Sequence, residues 1–388
     1  YRHLGMTSPF PMDLEFSHAN GVWLYSPNGE RYLDLVSGVS VSNIGHCHPE
    51  VVKAISEQAS RYMHLMVYGE FIQQPQVELA SQLSKVLPDS LNNIYFVNSG
   101  SEAIEGVMKL AKRHTGRPRI ASMVNAYHGG TQGALSLLGN EEMKYAFRPL
   151  LPNILRLRFN SEADLNLLDD QVAALFIEPV QAEAGVITPN PGYLKKVREI
   201  CNEKGILLVF DEIQTGFGRT GSLFFLEQCG VTPDVLCLAK ALGGGMPLGA
   251  FIADQSVMRS LTFDPVLGHI TTFGGHPVSC AAANAALNIL TRERIYAQVE
   301  DKAKHFYDNL ITHPLVKEIR YAGLLMAVDM PDSEILDKVF ISLIEHKILT
   351  DRFLFKPEAF RIAPPLTISF EEIDYAIRTI RKVLDSFL

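Results

Sequence analysis

Short, continuous apolar runs recur through the middle of the chain, and each run ends in a polar or glycine-rich turn. The runs cover residues 94–97, 119–124, 173–177, 206–210, 235–238 and 248–252. Strands without polar alternation are typical of sheets that are covered on both faces. Helical patterns lie between the runs, at 102–113 and 193–204. The sequence therefore predicts an α/β fold with a mostly parallel sheet, whose ligand site lies at the carboxyl ends of the strands.

The two ends of the chain have a different pattern. Residues 21–36 predict a hairpin that turns at 27–29. The C-terminal part alternates amphipathic helices with short strands such as 324–328, and it ends in a predicted helix over 371–387. At about 150 residues per domain, a chain of 388 residues has room for two or three domains. We predict a large α/β domain over 45–290 and a smaller α+β domain built from 1–44 and 291–388.

The composition excludes several functional classes. Hydrophobic residues make up 47% of the chain, which is ordinary for a globular protein and excludes a chain that is disordered throughout. Lys and Arg number 35 against 43 Asp and Glu, so the net charge is −8 and no basic cluster predicts nucleic-acid binding. No run approaches the ~20 apolar residues that span a bilayer. We therefore expect small-molecule partners, without nucleic acid or membrane.

The cysteines are scattered and form no Cys-x-x-Cys pair; they are Cys47, Cys201, Cys229, Cys237 and Cys280. This spacing argues against a disulfide framework or a zinc site, and it favours a reducing, cytoplasmic environment. His46 and His48 offer an alternating pair that could bind a metal. Because no carboxylate motif lies nearby in the sequence, a turn with local hydrogen bonds is favoured, and no metal is expected.

Lys240 is the first candidate catalytic residue. It follows an apolar run and precedes the glycine-rich stretch 241–249. A lysine at the end of a buried strand is costly unless its charge is paired or the amine is used covalently. The alternative is a lysine whose stem reaches the surface, and that alternative is favoured for a lysine considered alone.

Asp211 is the second candidate, since it ends the most apolar run and opens the segment 211–221. One interpretation is a helix N-cap. The other is a counter-ion to a protonated ring nitrogen. Enzymes that use pyridoxal 5′-phosphate need this carboxylate together with a Schiff-base lysine, and Asp211 and Lys240 supply both.

A phosphate site is predicted where the run 94–97 meets a helix. Backbone N–H groups at the helix start, together with the hydroxyls of Ser99 and Ser101, suit a dianion. An ordinary helix-capping turn is the alternative. Tyr127, at the end of the next run, is placed to stack on a flat ring, although a lone aromatic is more often a core residue.

Seven motifs occur in order and together resemble the class III aminotransferases, the ω-aminotransferase group that includes ornithine and acetylornithine aminotransferases. The resemblance runs from about Gly21 to the C-terminus and implies a PLP-dependent transferase of fold type I. Its motifs are Asn-Ser-Gly-Ser-Glu-Ala (98–103), Tyr-His-Gly (127–129), Glu-Pro-Val-Gln-Ala-Glu-Ala-Gly (178–185), Asp-Glu-Ile-Gln-Thr-Gly-Phe-Gly-Arg-Thr-Gly (211–221), Ala-Lys-Ala-Leu-Gly-Gly-Gly-Met-Pro-Leu-Gly (239–249), Thr-Thr-Phe-Gly-Gly-His-Pro (271–277) and Arg-Ile-Ala-Pro-Pro-Leu (361–366).

The resemblance also implies roles for individual residues. Lys240 and Asp211 are the catalytic residues, and Arg361 binds the carboxylate of 2-oxoglutarate or glutamate. Glu183 neutralises Arg361 when an ω-amine occupies the pocket. Thr272 reaches the cofactor phosphate of a neighbouring subunit, which implies a homodimer with shared sites. The cofactor-binding residues implied are Ser99, Gly100, Ser101, Tyr127, His128, Glu178, Asp211, Gln214, Lys240 and Thr272.

Two departures from the family pattern leave the amino donor open. Gly130 stands where ornithine and acetylornithine aminotransferases usually have an arginine for the donor's distal carboxylate. Val39 stands where ornithine-specific members have a tyrosine. Arg148, Arg156 and Arg158 are candidate replacements for the missing arginine.

These residues support three hypotheses for the function. The first is an aminotransferase that acts on an acetylornithine-like or ornithine-like donor and 2-oxoglutarate by a ping-pong mechanism. The second keeps the fold and the cofactor but has another donor, such as diaminopelargonate or another ω-amino acid, or is an aminomutase or a related PLP enzyme such as a decarboxylase or racemase. A non-catalytic or nucleotide-binding α/β protein is the third, and it leaves Lys240 and Asp211 unexplained.

Overall fold

The computed structural model describes residues 2–388. Its helices are Pro49–Arg61, Gln74–Val86, Gly100–Thr115, Gln132–Leu137, Tyr193–Lys204, Phe225–Cys229, Gln255–Met258, Pro277–Glu293, Val299–Leu310, Ser333–Glu345 and Phe370–Asp385. Its strands are β1 (His18–Asn20), β2 (Trp23–Tyr25), β3 (Arg31–Asp34), β4 (Asn93–Val97), β5 (Arg119–Met123), β6 (Ile154–Leu157), β7 (Val172–Ile177), β8 (Leu207–Asp211), β9 (Val235–Leu238), β10 (Gly249–Ala253), β11 (Glu318–Tyr321), β12 (Met326–Asp329), β13 (Ile348–Leu349), β14 (Asp351–Arg352) and β15 (Ala359–Ile362).

A seven-stranded sheet forms the centre of the molecule, with the strand order β4-β10-β9-β8-β7-β5-β6. Strand β10 runs antiparallel to both of its neighbours, and the other strands run parallel to one another. Every residue of β7, β8, β9 and β10 is buried. The predicted α/β fold with a mostly parallel sheet is therefore confirmed.

The two ends of the chain build the remaining sheets. One contains β1, β2, β3 and β13, and the other has the order β11-β12-β15-β14. The predicted hairpin is present, because β2 and β3 pair antiparallel around the turn at 26–30. Residues from both chain ends, such as Leu33 and Phe306, share one apolar core beside the central unit.

Some elements differ from their prediction. Strand β6 lies at the edge of the central sheet and was not predicted, because its Arg156 interrupts the apolar pattern. Strand β12 begins two residues later than expected, and the final helix spans Phe370–Asp385. Within residues 2–388, no helix combines the length and the apolar character that crossing a bilayer requires.

A single left-handed turn at Ser37–Ser40 was not predicted either. Its four residues have φ angles of 50°, 62°, 61° and 62°. This conformation is costly for a β-branched residue such as Val39. The turn packs against the segment Lys240–Gly243 and so forms part of the wall near the candidate site.

Candidate active site

A cavity of about 390 Å³ opens where strands of the central sheet end. Its wall comes from the turns that follow β4, β5, β7, β8 and β9, as a parallel sheet predicts. The predicted site residues that line it are Ser99, Gly100, Ser101, Tyr127, His128, Glu178, Asp211, Gln214 and Lys240.

Lys240 lines this cavity and is partly buried. Its Nζ donates a hydrogen bond of 2.8 Å to Oε1 of Gln214. Burial lowers the pKa of Lys240 from 10.5 to about 8, and the positive charge of Arg361 adds to the effect while Glu183 opposes it. The amine therefore loses its proton more easily than a surface lysine does, which favours a chemical role over a snorkelling one.

Asp211 lies at the end of β8 and is buried. Its Oδ2 accepts a hydrogen bond of 2.7 Å from Nδ1 of His128, which is also buried, and its Oδ1 accepts from the backbone N–H of Ile213 at 3.1 Å. The segment after Asp211 is a turn and not a helix, so the N-cap interpretation is wrong. Glu178 is buried nearby, and burial together with the charge of Asp211 raises its pKa.

The helix Gly100–Thr115 begins at the cavity. Ser99 is its N-cap, and the Ser99 hydroxyl accepts a hydrogen bond from the N–H of Glu102 at 3.2 Å. The capping interpretation is therefore correct for Ser99, although the helix start still faces the cavity. Gly100 lies close to Ile213, because a Cβ at position 100 would lie 2.8 Å from Cδ1 of Ile213 and one of the two residues would have to shift.

Glu183 and Arg361 form a buried ion pair, with 2.7 Å between Oε1 of Glu183 and Nη2 of Arg361. The pair is not part of the cavity wall, but its charges act on Lys240. Thr272 is exposed and also lies outside the cavity wall of this chain.

The three candidate replacements for the missing arginine are engaged elsewhere. Arg148 pairs with Glu141, and Arg158 pairs with Asp164. Arg156 donates to the hydroxyl of Ser122, which lies on β5, and to the carbonyl of Leu137. None of the three lines the cavity.

The two histidines that suggested a metal pair make separate local contacts. Nε2 of His46 lies 2.7 Å from Oδ2 of Asp34. His48 is the N-cap of the helix Pro49–Arg61 and accepts from the N–H of Glu50. The His48 contact matches the turn with local hydrogen bonds that the sequence favoured, whereas His46 contacts a carboxylate of β3, twelve residues earlier in the chain.

The cavity has the donor set that a phosphorylated pyridine aldehyde requires. Among the described residues, Nε2 of Gln214 is buried without a partner, and so is Nε2 of His128. An amine, a carboxylate and a helix start face the same space. Lys240 suits the aldehyde, Asp211 the ring nitrogen, and the start of the helix after Ser99 the phosphate. The residues therefore fit pyridoxal phosphate.

Comparison with known proteins decides the family. The model of the family "Aminotransferase class-III" matches residues 7–384. The chain belongs to the class-III aminotransferase family.

Its relatives include acetylornithine aminotransferases. The protein of that name from Methanopyrus kandleri is 38% identical over 386 residues, which cover 98% of this chain and 96% of the relative. The one from Clostridium acetobutylicum is 37% identical over 377 residues, covering 94% and 95%. Among solved structures, the ornithine aminotransferase from Toxoplasma gondii superposes with a TM-score of 0.92 at 32% identity, over 99% of this chain and 92% of that one.

This class-III aminotransferase is thus a pyridoxal-phosphate-dependent enzyme of fold type I, as predicted. Sequence reasoning missed Ile213 and Val180, which also line the cavity. Both lie inside quoted motifs, so a search for apolar residues next to the catalytic ones would have found them. It also missed Phe353, whose ring lies under Arg361.

Proposed function

We propose that this aminotransferase moves the terminal amino group of an ornithine-like or acetylornithine-like donor to 2-oxoglutarate, in two alternating half-reactions. The names of the relatives support the donor class. The observation that carries the proposal is the buried Glu183–Arg361 pair, whose charges act on Lys240. A guanidinium whose carboxylate partner can leave serves two substrates, because it binds a substrate carboxylate in one half-reaction and is neutralised in the other.

The proposed proton carrier is Nζ of Lys240. Bound pyridoxal phosphate supplies an electron sink that stabilises the carbanion left when the substrate carbon loses its proton. Lys240 takes that proton and returns it at the other end of the transfer, and its lowered pKa makes the neutral amine available near pH 8. Gln214 holds Nζ at 2.8 Å and so keeps the amine directed into the cavity.

Asp211, Gln214 and the helix start hold the cofactor in this proposal. The Asp211 carboxylate would pair with the ring nitrogen, and the 2.7 Å hydrogen bond from His128 fixes the orientation of that carboxylate. The free Nε2 of Gln214 donates to the phenolic oxygen of the ring. The N–H groups of Gly100 and Ser101, at the positive end of a 16-residue helix, bind the phosphate. Tyr127 covers one ring face.

We also infer a homodimer, in which Thr272 of one protomer reaches the phosphate site of its partner. Apolar side chains near Thr272 support this inference, since Phe263 is 62% exposed, Val266 69% and Phe273 53%. Phe263 and Val266 border a groove of about 970 Å³. We propose that a second copy of the chain covers this groove.

The free cysteines support the proposed cytoplasmic location.

One observation favours a second class of donor. A Cβ at Gly130 would meet no atom within 4 Å, and the three candidate replacement arginines are engaged elsewhere and do not line the cavity. A donor that has no carboxylate at the end away from its reacting amine does not need the missing arginine, so Gly130 costs such a donor no binding contact. The alternative donor class that this observation favours is therefore the diamines, since ω-amino acids and diaminopelargonate carry a carboxylate at the end away from the reacting amine.

Glutamate formation tests the proposed function. The holoenzyme is incubated with 2-oxoglutarate and, in turn, acetylornithine, ornithine, an unbranched diamine and diaminopelargonate. We expect glutamate to form with at least one donor, and the fastest donor identifies the substrate class. Formation of no glutamate from any donor would contradict the proposal and favour an aminomutase, which needs no external oxo acid.

A further inference from the structure

The Glu183–Arg361 pair is held by one short segment, Phe353–Leu354–Phe355, which connects β14 to β15. The ring of Phe353 lies under the guanidinium, with 4.6 Å between Cζ of Arg361 and the ring centroid. The N–H of Leu354 donates to Oε2 of Glu183 at 3.3 Å, and the N–H of Phe355 donates to the Glu183 carbonyl at 3.1 Å. The segment therefore contacts both residues of the pair. Phe353 contacts Arg361, and Leu354 and Phe355 contact Glu183.

Arg361 has few other contacts. It is fully buried, and within residues 2–388 its Nε and Nη1 have no hydrogen-bond partner. The ring of Phe353 and one oxygen of Glu183 are thus the contacts that hold the guanidinium. When Glu183 moves away to admit a substrate carboxylate, the ring face is the contact that stays.

The charges around Arg361 make this contact significant. Two like charges lie near Arg361, since, beyond the effect of burial, its positive charge lowers the pKa of both Arg219 and Lys240, and Asp351 is its register partner on the neighbouring strand. Asp351 is half-buried, and burial raises its pKa. The face of an aromatic ring attracts a cation without competing for its N–H donors. The ring of Phe353 therefore leaves all the N–H groups of Arg361 available, and once Glu183 releases Nη2, a substrate carboxylate can bind Nη2 together with Nε or Nη1.

We propose that Phe353 is a positioning residue that sets the affinity of Arg361 for substrate carboxylates. The inference rests on the proposed function, in which Arg361 binds the carboxylate of the oxo-acid acceptor. Leu354 complements it, because its N–H holds the Glu183 carboxylate while that carboxylate is paired with Arg361. Phe353 itself does not line the cavity.

Phe353→Leu removes the ring and keeps an apolar side chain of similar size. We expect the KM for 2-oxoglutarate to rise about 10- to 30-fold, since a desolvated cation–π contact is lost. The dissociation constant of glutarate, a non-reacting dicarboxylate, should rise equally when it is measured by calorimetry on the holoenzyme. The kcat and the donor half-reaction, followed with the active donor of the panel, should stay close to wild type, because Arg361 is paired with Glu183 in that half-reaction.

Three variants separate positioning from general packing. Phe353→Tyr keeps the ring and should restore the wild-type KM, and Phe353→Met is a second ring-free variant if Phe353→Leu folds poorly. Phe340→Leu is the matched control, because Arg352 stacks on Phe340 at 4.8 Å in the same part of the molecule. We expect it to leave the KM for 2-oxoglutarate unchanged.

Two results overturn the inference. One is an unchanged glutarate affinity in the ring-free variants of Phe353, while the wild type binds glutarate and forms glutamate. The other is an equal loss of catalytic efficiency in the donor and acceptor half-reactions, which would show that Phe353 has a packing role only. If the wild type neither binds glutarate nor forms glutamate, the proposed function fails and this inference fails with it.

Discussion

At the scale of single residues, burial determines the chemistry of the site. Lys240 sits at the end of a buried strand, and Asp211 and Glu178 are buried near it. An ammonium in such a place loses hydration that its neighbours only partly replace. The result is an amine that loses its proton far more easily than a surface lysine does, which a proton carrier needs.

This lowered pKa predicts a pH dependence for cofactor capture by the apoprotein. Below the pKa the amine is protonated and cannot attack an aldehyde, and above it the amine is free. The rate of pyridoxal phosphate uptake, followed by visible absorbance, should therefore rise with pH and reach its midpoint at about 8. A midpoint near 10.5 would contradict the account. In Glu183→Gln the midpoint should fall further, because the Glu183 charge raises the pKa of Lys240.

The sequence identified the residues that terminate strands but not the contacts between distant ones. Lys240 and Asp211 stood out because each follows an apolar run. The hydrogen bond between His128 and Asp211 joins residues 83 positions apart, and no pattern in either segment encodes it. The stacking of Phe353 on Arg361 was missed for the same reason, since Phe353 lies in the segment between β14 and β15 and Arg361 lies on β15.

At the scale of single elements, the start of the helix Gly100–Thr115 is the most constrained. The turn before it approaches Ile213 closely, and a side chain at position 100 would require the Ile213 side chain or the helix start to shift. The sequence predicted this helix to within two residues at each end, since its apolar residues recur at helical spacing. The left-handed turn at Ser37–Ser40 was beyond sequence reasoning, because Val39 ordinarily avoids positive φ.

Gly100→Ala should weaken cofactor binding. The added methyl group would lie 2.8 Å from Cδ1 of Ile213 and push the helix start away from the phosphate. We expect the dissociation constant of pyridoxal phosphate to rise about tenfold, a loss of about 1.4 kcal/mol. Titration of apoprotein with the cofactor measures it.

Ile213→Val provides the matched control for this clash. It removes the Cδ1 atom, so the double variant Gly100→Ala/Ile213→Val should recover most of the lost affinity. If the double variant binds the cofactor as weakly as Gly100→Ala alone, steric contact with Ile213 is not the cause.

At the scale of the whole molecule, Arg219 connects the central unit to both chain ends. Its guanidinium is buried and donates to the carbonyls of Leu324 and Pro364 at 2.7 Å each, to Oδ1 of Asn43 at 2.6 Å and to Oγ of Ser37 at 3.2 Å. These partners come from segments that the sequence assigned to the smaller domain. The division into 45–290 and the two flanking segments remains a proposal, and Arg219 is its proposed link.

Arg219→Met should destabilise the protein strongly. The substitution leaves buried carbonyl groups without donors, which costs about 3 kcal/mol or more in the free energy of unfolding. Urea unfolding of the apoprotein measures this change. Arg292→Met is the control, because its ion pair with Glu50 is exposed and should contribute less than about 1 kcal/mol. Equal losses in the free energy of unfolding of the two variants would refute the proposal that Arg219 links the two parts of the chain.

Phe263→Glu tests the proposed homodimer. A charge placed in the exposed apolar patch should be buried at the interface and disfavour association. We expect light scattering after size exclusion to show a shift from dimer toward monomer. Transaminase activity should fall with it, because the phosphate site loses the partner's Thr272. A dimer as tight as the wild type would place the interface elsewhere.

The central claim is that Lys240 holds the cofactor and carries the proton. Borohydride reduction of the holoenzyme, followed by digestion and mass spectrometry, measures it most directly, because reduction fixes pyridoxal phosphate to the lysine that it has bonded. We predict the label on the peptide that contains Lys240, and no label and no transamination in Lys240→Ala. A label on another lysine, or turnover near wild type in Lys240→Ala, would contradict the account.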